Sequence, residues 1–206
     1  MPKILGIDEA GRGPVIGPLV MVGFLLEEGK LGELAKLGVR DSKQLTAAKR
    51  EELEPKIRGL GEVFMEIVHP WQIDAENLNI LERKAAKRII SAAKPDKAFI
   101  DAFERKLDKK LQFQGVKIIA EYKADDKYPI VGAASIVAKV HRDNAIKALA
   151  EKYGRMGSGY PSDPETRRFV EAWIKTNKTI PEFVRKSWGT TRGIVEKAEQ
   201  KSLADF

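Results

Sequence analysis

Four acidic residues lie at three widely separated points of the chain, each at or just beyond the end of an apolar, strand-like run. They are Asp8, Glu9, Asp101 and Asp125. Carboxylates at strand ends can converge at one edge of a sheet, where their like charges are costly unless a cation neutralises them. Hard carboxylate oxygens favour Mg²⁺ or Mn²⁺, and two such ions held close together suit in-line attack on a phosphodiester. We therefore interpret the four acids as a candidate metal site.

Each acid also has an ordinary explanation. Adjacent strand residues point to opposite faces, so Asp8 and Glu9 can face one ion only if the strand is ending there. Glu9 could instead offer its backbone carbonyl or reach a different ion, and both acids could be solvated at a turn. Asp101 could cap a following helix. From the residues alone, either Asp125 or its neighbour Asp126 could point at a pocket.

A short glycine-containing segment follows the acidic pair by two residues. In this segment, Gly11, Arg12 and Gly13 can bring the backbone close to a phosphate or a sugar, because the glycines have no side chain. A backbone group there could sense a ribose 2′-hydroxyl, the group that distinguishes RNA from DNA. The alternative interpretation is a tight turn with no role in binding.

Other residues are candidates for contact with nucleic acid. Ser42 and Lys43 lie in a loop before a predicted helix, where they can contact phosphate or simply be solvated. Ser135 and Lys139 stand one helical turn apart and could both reach phosphate. Tyr160, in a glycine-rich loop, could stack on a base or sugar. We interpret the two histidines, His69 and His141, as structural because neither has a second histidine at metal-ligand spacing.

Composition narrows the class of protein. The chain has 206 residues, 43% of them hydrophobic, and a net charge of +7, which together indicate a globular protein with affinity for polyanions. It has no cysteine, so disulfides and thiolate metal sites are excluded. The amino terminus lacks the apolar region of a signal peptide, and no stretch is apolar enough to span a membrane. We expect a cytoplasmic, monomeric protein with no membrane association.

The elements that must position these residues follow from hydropathy patterns. Strands are predicted at 3–8, 15–26, 62–68, 98–100 and 116–120, the first two forming a hairpin. Helices are predicted at 30–37, 46–58, 77–93, 103–111 and 128–153, then from near Ser162, which is expected to cap that helix, with a last short helix at the end. Thr46 precedes the second helix, and Pro55 is expected to bend it or end it early.

This order predicts an α/β protein, with a mixed sheet flanked by helices and a helical carboxyl-terminal extension. We expect a catalytic domain at residues 1–154 and a helical region at 155–206.

Together these segments resemble ribonuclease HII, the type 2 ribonuclease H, in its archaeal form. The matching stretches are Gly-Ile-Asp-Glu-Ala-Gly-Arg-Gly (6–13), Asp-Ser-Lys-Gln-Leu (41–45), the Asp101 strand end, Lys-Ala-Asp (123–125), Ala-Ala-Ser-Ile-Val-Ala-Lys-Val (133–140) and Gly-Ser-Gly-Tyr-Pro-Ser-Asp (157–163). Each stretch is short, but they occur in the expected order across most of the chain. Gln44 stands where many relatives carry a second lysine.

The resemblance implies a fold, an activity and roles for particular residues. It implies a ribonuclease H-like sheet that holds two Mg²⁺ or Mn²⁺ ions on Asp8, Glu9, Asp101 and Asp125, with Asp125 preferred over Asp126. One ion would activate water and the other would stabilise the leaving 3′-oxygen, with Asp8 as the shared ligand.

The resemblance also implies a substrate. The enzyme would cut the RNA strand of RNA/DNA hybrids and the 5′ side of ribonucleotides embedded in duplex DNA, leaving a 3′-hydroxyl and a 5′-phosphate, as needed in DNA replication and repair. Gly11, Arg12 and Gly13 would read the junction between ribonucleotide and deoxyribonucleotide, and Tyr160 would stack on the sugar that follows.

Two other functions remain open at this point. A nucleic-acid-binding protein without catalysis would keep the basic charge but would not need all four acids. Another metal-dependent nuclease of the same fold, such as a junction nuclease or a type 1 ribonuclease H, would not need the Gly-Arg-Gly segment or Tyr160. A type 3 enzyme is disfavoured because no extra domain precedes the first strand.

The end of the chain carries a separate motif. Gln200, Leu203 and Phe206 form the pattern Gln-x-x-Leu-x-x-Phe, which looks like a peptide that binds the DNA sliding clamp. In such peptides, a short helical turn places apolar side chains in a groove. The alternative is an ordinary frayed tail.

Overall fold

The computed structural model describes residues 1–39 and 45–204, with side chains as far as residue 197. Five strands in these ranges form one mixed sheet in the order β3-β2-β1-β4-β5. They are β1 (Lys3–Ala10), β2 (Leu19–Glu27), β3 (Glu62–Val68), β4 (Lys97–Asp101) and β5 (Lys117–Glu121). β1 pairs antiparallel with β2 and parallel with β4, and β4 pairs parallel with β5. The predicted hairpin and mixed sheet are confirmed.

Helices connect β2 to β3, β3 to β4 and β4 to β5, and more helices follow β5. Those in the described ranges are α1 (Leu31–Lys36), α2 (Ala47–Leu60), α3 (Pro70–Ala75), α4 (Leu78–Ala93), α5 (Leu107–Lys110), α6 (Ala124–Lys127), α7 (Pro129–Tyr153), α8 (Pro164–Asn177) and α9 (Gly189–Ala204). The predicted α/β class, a sheet flanked by helices, is therefore confirmed. Across the same described residues, no helix is long and apolar enough to cross a membrane.

The chain divides into two compact units. The sheet unit comprises Met1–Ala10, Val20–Ile67 and Leu78–His141. The helical unit comprises Gly11–Leu19, Val68–Asn77 and the chain from Arg142 onward, so it includes two early segments as well as the carboxyl-terminal helices. A domain boundary between residues 154 and 155 stays a prediction, because compactness alone does not decide which segments fold independently.

In the sheet unit, both faces of the two central strands are buried. Even-numbered residues of β1 and β2, among them Ile4 and Val22, pack in a core cluster that includes residues of α2 and α7. On the odd-numbered face, Leu5 and Ile89 of α4 both come close to Gly23. This alternation places Asp8 on the same face as Ile4.

A close approach between β1 and α7 brings Asp8 to its partners. A Cβ atom at Gly6 would lie 2.1 Å from the carbonyl oxygen of Ile130, so only glycine allows the start of α7 to lie against the strand. Asp8 is two residues further along the same face of β1, and Ser135 is a little over one turn further along α7. The glycine therefore determines how close the acid and this helix can be.

The helical unit has its own apolar core. Its buried side chains come from the loop after β1, the last turns of α7, and helices α8 and α9: Val15, Ile16, Ile146, Met156, Val170, Ile174, Val184 and Ile194. Tyr153 packs on Phe183 with ring centroids 4.6 Å apart, and Trp173 lies edge-on to both rings. These contacts join α7, α8 and the segment before α9.

Several predicted boundaries were wrong. The second strand begins at Leu19 rather than Val15, because Gly17 adopts φ +87° and donates its N–H to Phe183 (2.8 Å), outside any strand ladder. Helix α5 covers only Leu107–Lys110, since Lys106 before it has the left-handed φ of +55°.

Helix ends also differ from the prediction in three places. Thr46 does cap α2, accepting the Lys49 N–H at 3.2 Å, but the helix continues past Pro55 to Leu60. Helix α8 is capped by Asp163, not Ser162: its carboxylate accepts the Glu165 N–H at 2.9 Å. The last helix, α9, spans sixteen residues rather than being short.

Candidate active site

Asp8 is almost fully buried in the sheet unit. It lies within β1 with 4% of its surface exposed, and its Oδ1 accepts the Glu9 N–H at 2.8 Å. Its carboxylate also shares a hydrogen bond with the side chain of Ser135, a buried residue of α7. Ser135 in turn accepts a hydrogen bond from the Nζ of Lys139 at 2.9 Å. The structure thus places the predicted phosphate contacts Ser135 and Lys139 beside Asp8, and their contact with phosphate stays a prediction.

Asp101 and Asp125 are joined through a tight turn. Asp101 is the last residue of β4, and its Oδ1 accepts the backbone N–H of Ala124 at 3.0 Å. Lys123, at φ +59°, turns the chain into α6, and Asp125 follows in the first turn of that short helix. Asp125 is 1% exposed, whereas Asp126 is exposed. The structure therefore favours Asp125 over Asp126 as the residue of the site.

The acids of the sheet unit act on one another electrostatically. The pKa of Asp8 is raised to about 7: burial raises it most, the hydrogen bond from Ser135 lowers it in part, and the charges of Asp101 and Asp125 raise it further. The charges of three of the four predicted acids, Asp8, Asp101 and Asp125, therefore interact, and we refer to these three as the acid cluster.

The donors of this cluster match a hard divalent cation. They are carboxylate oxygens, mostly buried, whose mutual repulsion a cation would offset. In the described part of the chain, no group of three or more His, Cys, Asp or Glu residues is arranged so that it could hold a metal ion. As described, these carboxylates are therefore not arranged as a metal site, and their binding of an ion stays a prediction.

Glu9 differs from the other acids. Strand β1 continues through Glu9 to Ala10, with Asp8 opposite Val22 and Glu9 opposite Met21 in the hairpin register. Because neighbouring strand residues alternate, the side chains of Asp8 and Glu9 point to opposite faces. The metal contact of Glu9, by side chain or by backbone carbonyl, stays a prediction.

The Gly-Arg-Gly segment forms a turn in the helical unit. Gly11 has φ +89°, and a Cβ there would lie 2.5 Å from the carbonyl oxygen of Pro18. Both facts require glycine at this position. Gly13, in contrast, is exposed, and a Cβ there would meet only the ring of Tyr160, at 3.8 Å. The turn and Tyr160 therefore lie together, as the proposed common role requires.

Tyr160 is supported from one side by a buried arginine. Its ring is 39% exposed, and the guanidinium of Arg142 lies 4.8 Å from the ring centroid. Arg142 is 6% exposed and donates to the carbonyl oxygen of Ser158 at 2.6 Å. Asp163 accepts hydrogen bonds from the N–H and hydroxyl of Ser158, and these bonds hold its pKa at about 2.

Sequence reasoning missed the residues that support this loop. Arg142 was not among the candidates from the sequence, and Asp163 was not identified as a cap. Arg185, which binds the backbone of the Gly-Arg-Gly turn, is more than 170 residues away from it in the chain. No spacing rule links positions so far apart, so only the folded structure reveals such partners.

The remaining candidates fall partly outside the described structure. Ser42 and Lys43 lie outside the described residues, as does Phe206. Gln200 and Leu203 lie in α9, beyond the last described side chain.

His141 contacts Glu54 and Arg58 of α2, with its Nε2 at 2.7 Å from Arg58 and 3.4 Å from Glu54, in agreement with a structural role.

Comparison with known proteins gives a consistent result. The family model described as Ribonuclease HII matches residues 5–191. The ribonuclease HII of Methanococcus maripaludis (strain C7) is 43% identical over 215 residues, covering 97% of this chain and 90% of that protein. The crystal structure of ribonuclease H2 from Pyrococcus horikoshii OT3 is similar, with a TM-score of 0.90 and 40% identity, covering 96% of this chain and 99% of that one. A chain in the PCNA:RNase HII complex from Archaeoglobus fulgidus is also similar, with a TM-score of 0.84 and 42% identity, covering 90% of this chain and 94% of that one.

Proposed function

Because the chain belongs to the ribonuclease HII family, and is a metal-dependent endonuclease acting on RNA/DNA hybrids, we propose that it cuts with two Mg²⁺ or Mn²⁺ ions held by Asp8, Glu9, Asp101 and Asp125. The observation that carries this proposal is the burial of two aspartates, Asp8 and Asp125, at 4% and 1% exposure. Buried like charges are costly unless a cation compensates them.

The residues of the chain prepare this site before substrate arrives. The hydrogen bonds from Ser135 and the Glu9 N–H orient the Asp8 carboxylate. The Ala124 N–H orients the carboxylate of Asp101 in the same way. When bound, the ions supply an activated water and neutralise charge on the leaving 3′-oxygen. We propose cleavage on the 5′ side of the ribonucleotide, which leaves a 3′-hydroxyl and a 5′-phosphate.

Replacement of one acid tests the metal site. Asp101→Asn keeps the shape of the side chain but removes its charge, so we expect cleavage of a DNA duplex with one ribonucleotide to fall at least about a hundredfold. Binding of the duplex should be retained, and calorimetric titration with Mn²⁺ should show weaker metal binding. Products should be identified by their ends on a sequencing gel.

The matched control is the residue just before the other end of the same strand. Asp96 is exposed and accepts the Lys3 N–H at 2.7 Å, so Asp96→Asn makes the same chemical change away from the site. Cleavage at the wild-type rate by Asp101→Asn would reject the assigned role of Asp101. A wild-type protein that binds the duplex without cutting it would instead favour a non-catalytic binding protein.

We further propose that the Gly-Arg-Gly turn recognises the ribose. Gly13 is exposed beside the ring of Tyr160, which leaves room for a sugar at the turn and an aromatic face for stacking. On this proposal, Tyr160 stacks on the sugar that follows the ribonucleotide, while backbone groups of Gly11, Arg12 and Gly13 contact the 2′-hydroxyl.

A single methyl group tests this recognition. A Cβ at Gly13 meets Tyr160 at ordinary contact distance, so Gly13→Ala should fold normally while its methyl occupies the space of the sugar. We expect KM for the single-ribonucleotide duplex to rise about tenfold or more. Gly189→Ala, where a Cβ meets nothing within 4 Å, is the control. An unchanged KM in Gly13→Ala would contradict ribose reading by this turn.

We also propose that the carboxyl terminus binds the DNA sliding clamp through Gln200, Leu203 and Phe206. Support comes from the similarity to a chain in the solved PCNA:RNase HII complex of Archaeoglobus fulgidus, and from the Gln-x-x-Leu-x-x-Phe pattern itself. Removal of residues 200–206 should abolish binding to the sliding clamp of the same organism but leave cleavage intact. Unchanged clamp affinity after this deletion would reject the proposal.

Such an enzyme acts where ribonucleotides enter DNA. We therefore propose a cytoplasmic, monomeric enzyme of DNA replication and repair, with ribonucleotide-containing duplex DNA as a substrate alongside RNA/DNA hybrids.

A further inference from the structure

Arg185 is a fully buried cation in the helical unit. None of its surface is exposed, and it is among the largest side chains of the described residues to be fully buried. Arginine is almost never fully buried unless its charge and its five N–H donors are satisfied. The groups around this side chain therefore indicate what its burial achieves.

The guanidinium of Arg185 binds the backbone of the turn that follows β1. Its Nη2 donates to the carbonyl oxygen of Gly11 at 2.5 Å, and its Nη1 donates to that of Arg12 at 2.9 Å. Both Nε and Nη2 donate to the carbonyl oxygen of Gly17, at 3.2 and 3.1 Å. The backbone N–H of Arg185 adds a bond to the carbonyl oxygen of Val15 at 2.8 Å. One residue thus holds the loop along most of its length.

Trp188 completes this support. Its ring lies 4.9 Å from the guanidinium of Arg185, and its Nε1–H donates to the carbonyl oxygen of Gly13 at 3.3 Å. The three carbonyl groups of the Gly-Arg-Gly turn are therefore all bound by two side chains of the same carboxyl-terminal segment.

These contacts determine where the backbone donors of the turn point. In a trans peptide, the carbonyl of one residue and the N–H of the next point in opposite directions. Since the carbonyls of Gly11 and Arg12 point to Arg185, the N–H groups of Arg12 and Gly13 point away from it. The direction in which these two N–H groups point is therefore set by the bonds to Arg185.

We propose that Arg185, assisted by Trp188, is a positioning residue that fixes the Gly-Arg-Gly turn in its ribose-reading conformation; this rests on the proposed recognition of ribose by that turn. Arg185 touches no substrate. It acts by holding the carbonyl groups of Gly11, Arg12 and Gly17 with one planar fork, which the single ammonium group of a lysine cannot do.

The test compares two affinities in one cleavage assay. The first is KM for a DNA duplex with one ribonucleotide, and the second is the inhibition constant of the all-DNA duplex of the same sequence. Arg185→Lys keeps the charge but loses the fork, so we expect KM to rise about tenfold while the inhibition constant changes less than about twofold. Such a selective loss is not expected from a purely structural role.

Two further variants keep the proposal falsifiable. Trp188→Phe keeps an aromatic ring beside Arg185 but loses the bond to Gly13, and we expect a selective rise in KM of about threefold without loss of thermal stability. Val170→Ala removes buried volume from the core of the same unit without touching the turn, so it should lower stability and leave KM unchanged.

The outcomes separate this proposal from the one it rests on. The positioning role would be overturned if Arg185→Lys leaves KM within about twofold of wild type. It would also be overturned if KM and the inhibition constant rise equally. If Arg185→Lys does not fold, an unchanged KM in Trp188→Phe overturns it instead. A selective rise in Val170→Ala would also overturn it, since stability alone would then explain the effect. If Gly13→Ala leaves KM unchanged, ribose reading itself fails, and the role of Arg185 fails with it.

Discussion

A chain of hydrogen bonds runs from Lys139 through Ser135 to the carboxylate of Asp8. All three side chains lie in the sheet unit, and Ser135 has no exposed surface. A hydroxyl group in this position can orient Asp8 and partly offset the cost of burying its charge. The sequence suggested a different role, direct contact of Ser135 and Lys139 with phosphate. The two roles predict different kinetics.

Removal of the Ser135 hydroxyl separates these roles. If Ser135 orients Asp8, Ser135→Ala should lower kcat about tenfold with little change in KM, because the carboxylate proposed to bind metal is misplaced while the substrate still binds. If it contacts phosphate, KM should rise and kcat should change little. Steady-state kinetics on the single-ribonucleotide duplex distinguish the two. Ser91→Ala, at an exposed position of α4, is the control, and wild-type kcat in Ser135→Ala would reject the orienting role.

At the residue scale, the sequence identified the acids but not their environment. Asp8, Asp101 and Asp125 were predicted because each follows an apolar run, and the structure brings their charges close enough to act on Asp8. The choice between Asp125 and Asp126 could not be made from the residues, since both are aspartates in one short segment. It depends on the turn at Lys123, whose left-handed φ of +59° no pattern of hydropathy predicts.

At the element scale, long periodic segments were predictable and irregular ones were not. Helix α7 was expected at 128–153 and spans Pro129–Tyr153, because its apolar spacing is sustained over many turns. The loop at 11–18 was predicted partly as strand, because its apolar residues Val15 and Ile16 resemble those of β2 in type. They are buried instead in the core of the helical unit, which only the tertiary structure defines.

The contact between β1 and α7 gives a prediction at this scale. Gly6→Ala places a methyl 2.1 Å from the carbonyl oxygen of Ile130, so the helix has to move away from the strand. We expect the free energy of unfolding to fall by about 3 kcal/mol and cleavage to weaken as Ser135 separates from Asp8. Gly59→Ala, in α2 with nothing within 4 Å, should be neutral or slightly stabilising. Urea denaturation checks both, and equal stability of the two variants would contradict the argument.

A partly buried carboxylate that contacts two helices gives a prediction for acid stability. Glu104 accepts hydrogen bonds from Arg83 of α4 and Lys110 of α5, each at 2.5 Å. Burial alone would raise the pKa of Glu104, but the bonds from Lys110 and Arg83 outweigh it together and hold the pKa below its ordinary value of 4.5. Because the folded-state pKa is depressed, this stabilisation is fully present above 4.5 and is lost as the pH falls through the folded-state pKa.

Glu104→Gln should therefore lower the free energy of unfolding by about 1–2 kcal/mol at pH 7. The difference from wild type should shrink as the pH falls below 4.5, because protonation then weakens the same interactions in the wild-type protein. Chemical denaturation at a series of pH values measures this difference. If the difference in free energy of unfolding between the variant and wild type stays constant down to pH 3, the charge of Glu104 is not what stabilises the fold.

At the scale of the whole molecule, the residues of the two proposed functions lie in two compact units. The acids expected to bind metal lie in the sheet unit, and the Gly-Arg-Gly turn with Tyr160 lies in the helical unit. The chain passes from one unit to the other between Ala10 and Gly11, directly after the Asp8–Glu9 pair. If both proposals hold, cleavage and ribose recognition depend on different cores, and we expect some variants to impair one and spare the other.

The net charge of +7 acts on every nucleic acid regardless of sequence, and it predicts strong salt dependence. If Lys43 contacts a phosphate, Lys43→Met should weaken binding to ribonucleotide-containing and all-DNA duplexes alike, and reduce the slope of log affinity against log salt by about 0.9. Lys56→Met changes the net charge equally, but Lys56 pairs with Glu52 at 2.7 Å on α2, so its slope should match wild type.

Binding measured between about 50 and 200 mM salt checks this. Equal slopes for Lys43→Met and Lys56→Met would mean that Lys43 acts only through net charge, because a bound phosphate is what releases a counterion.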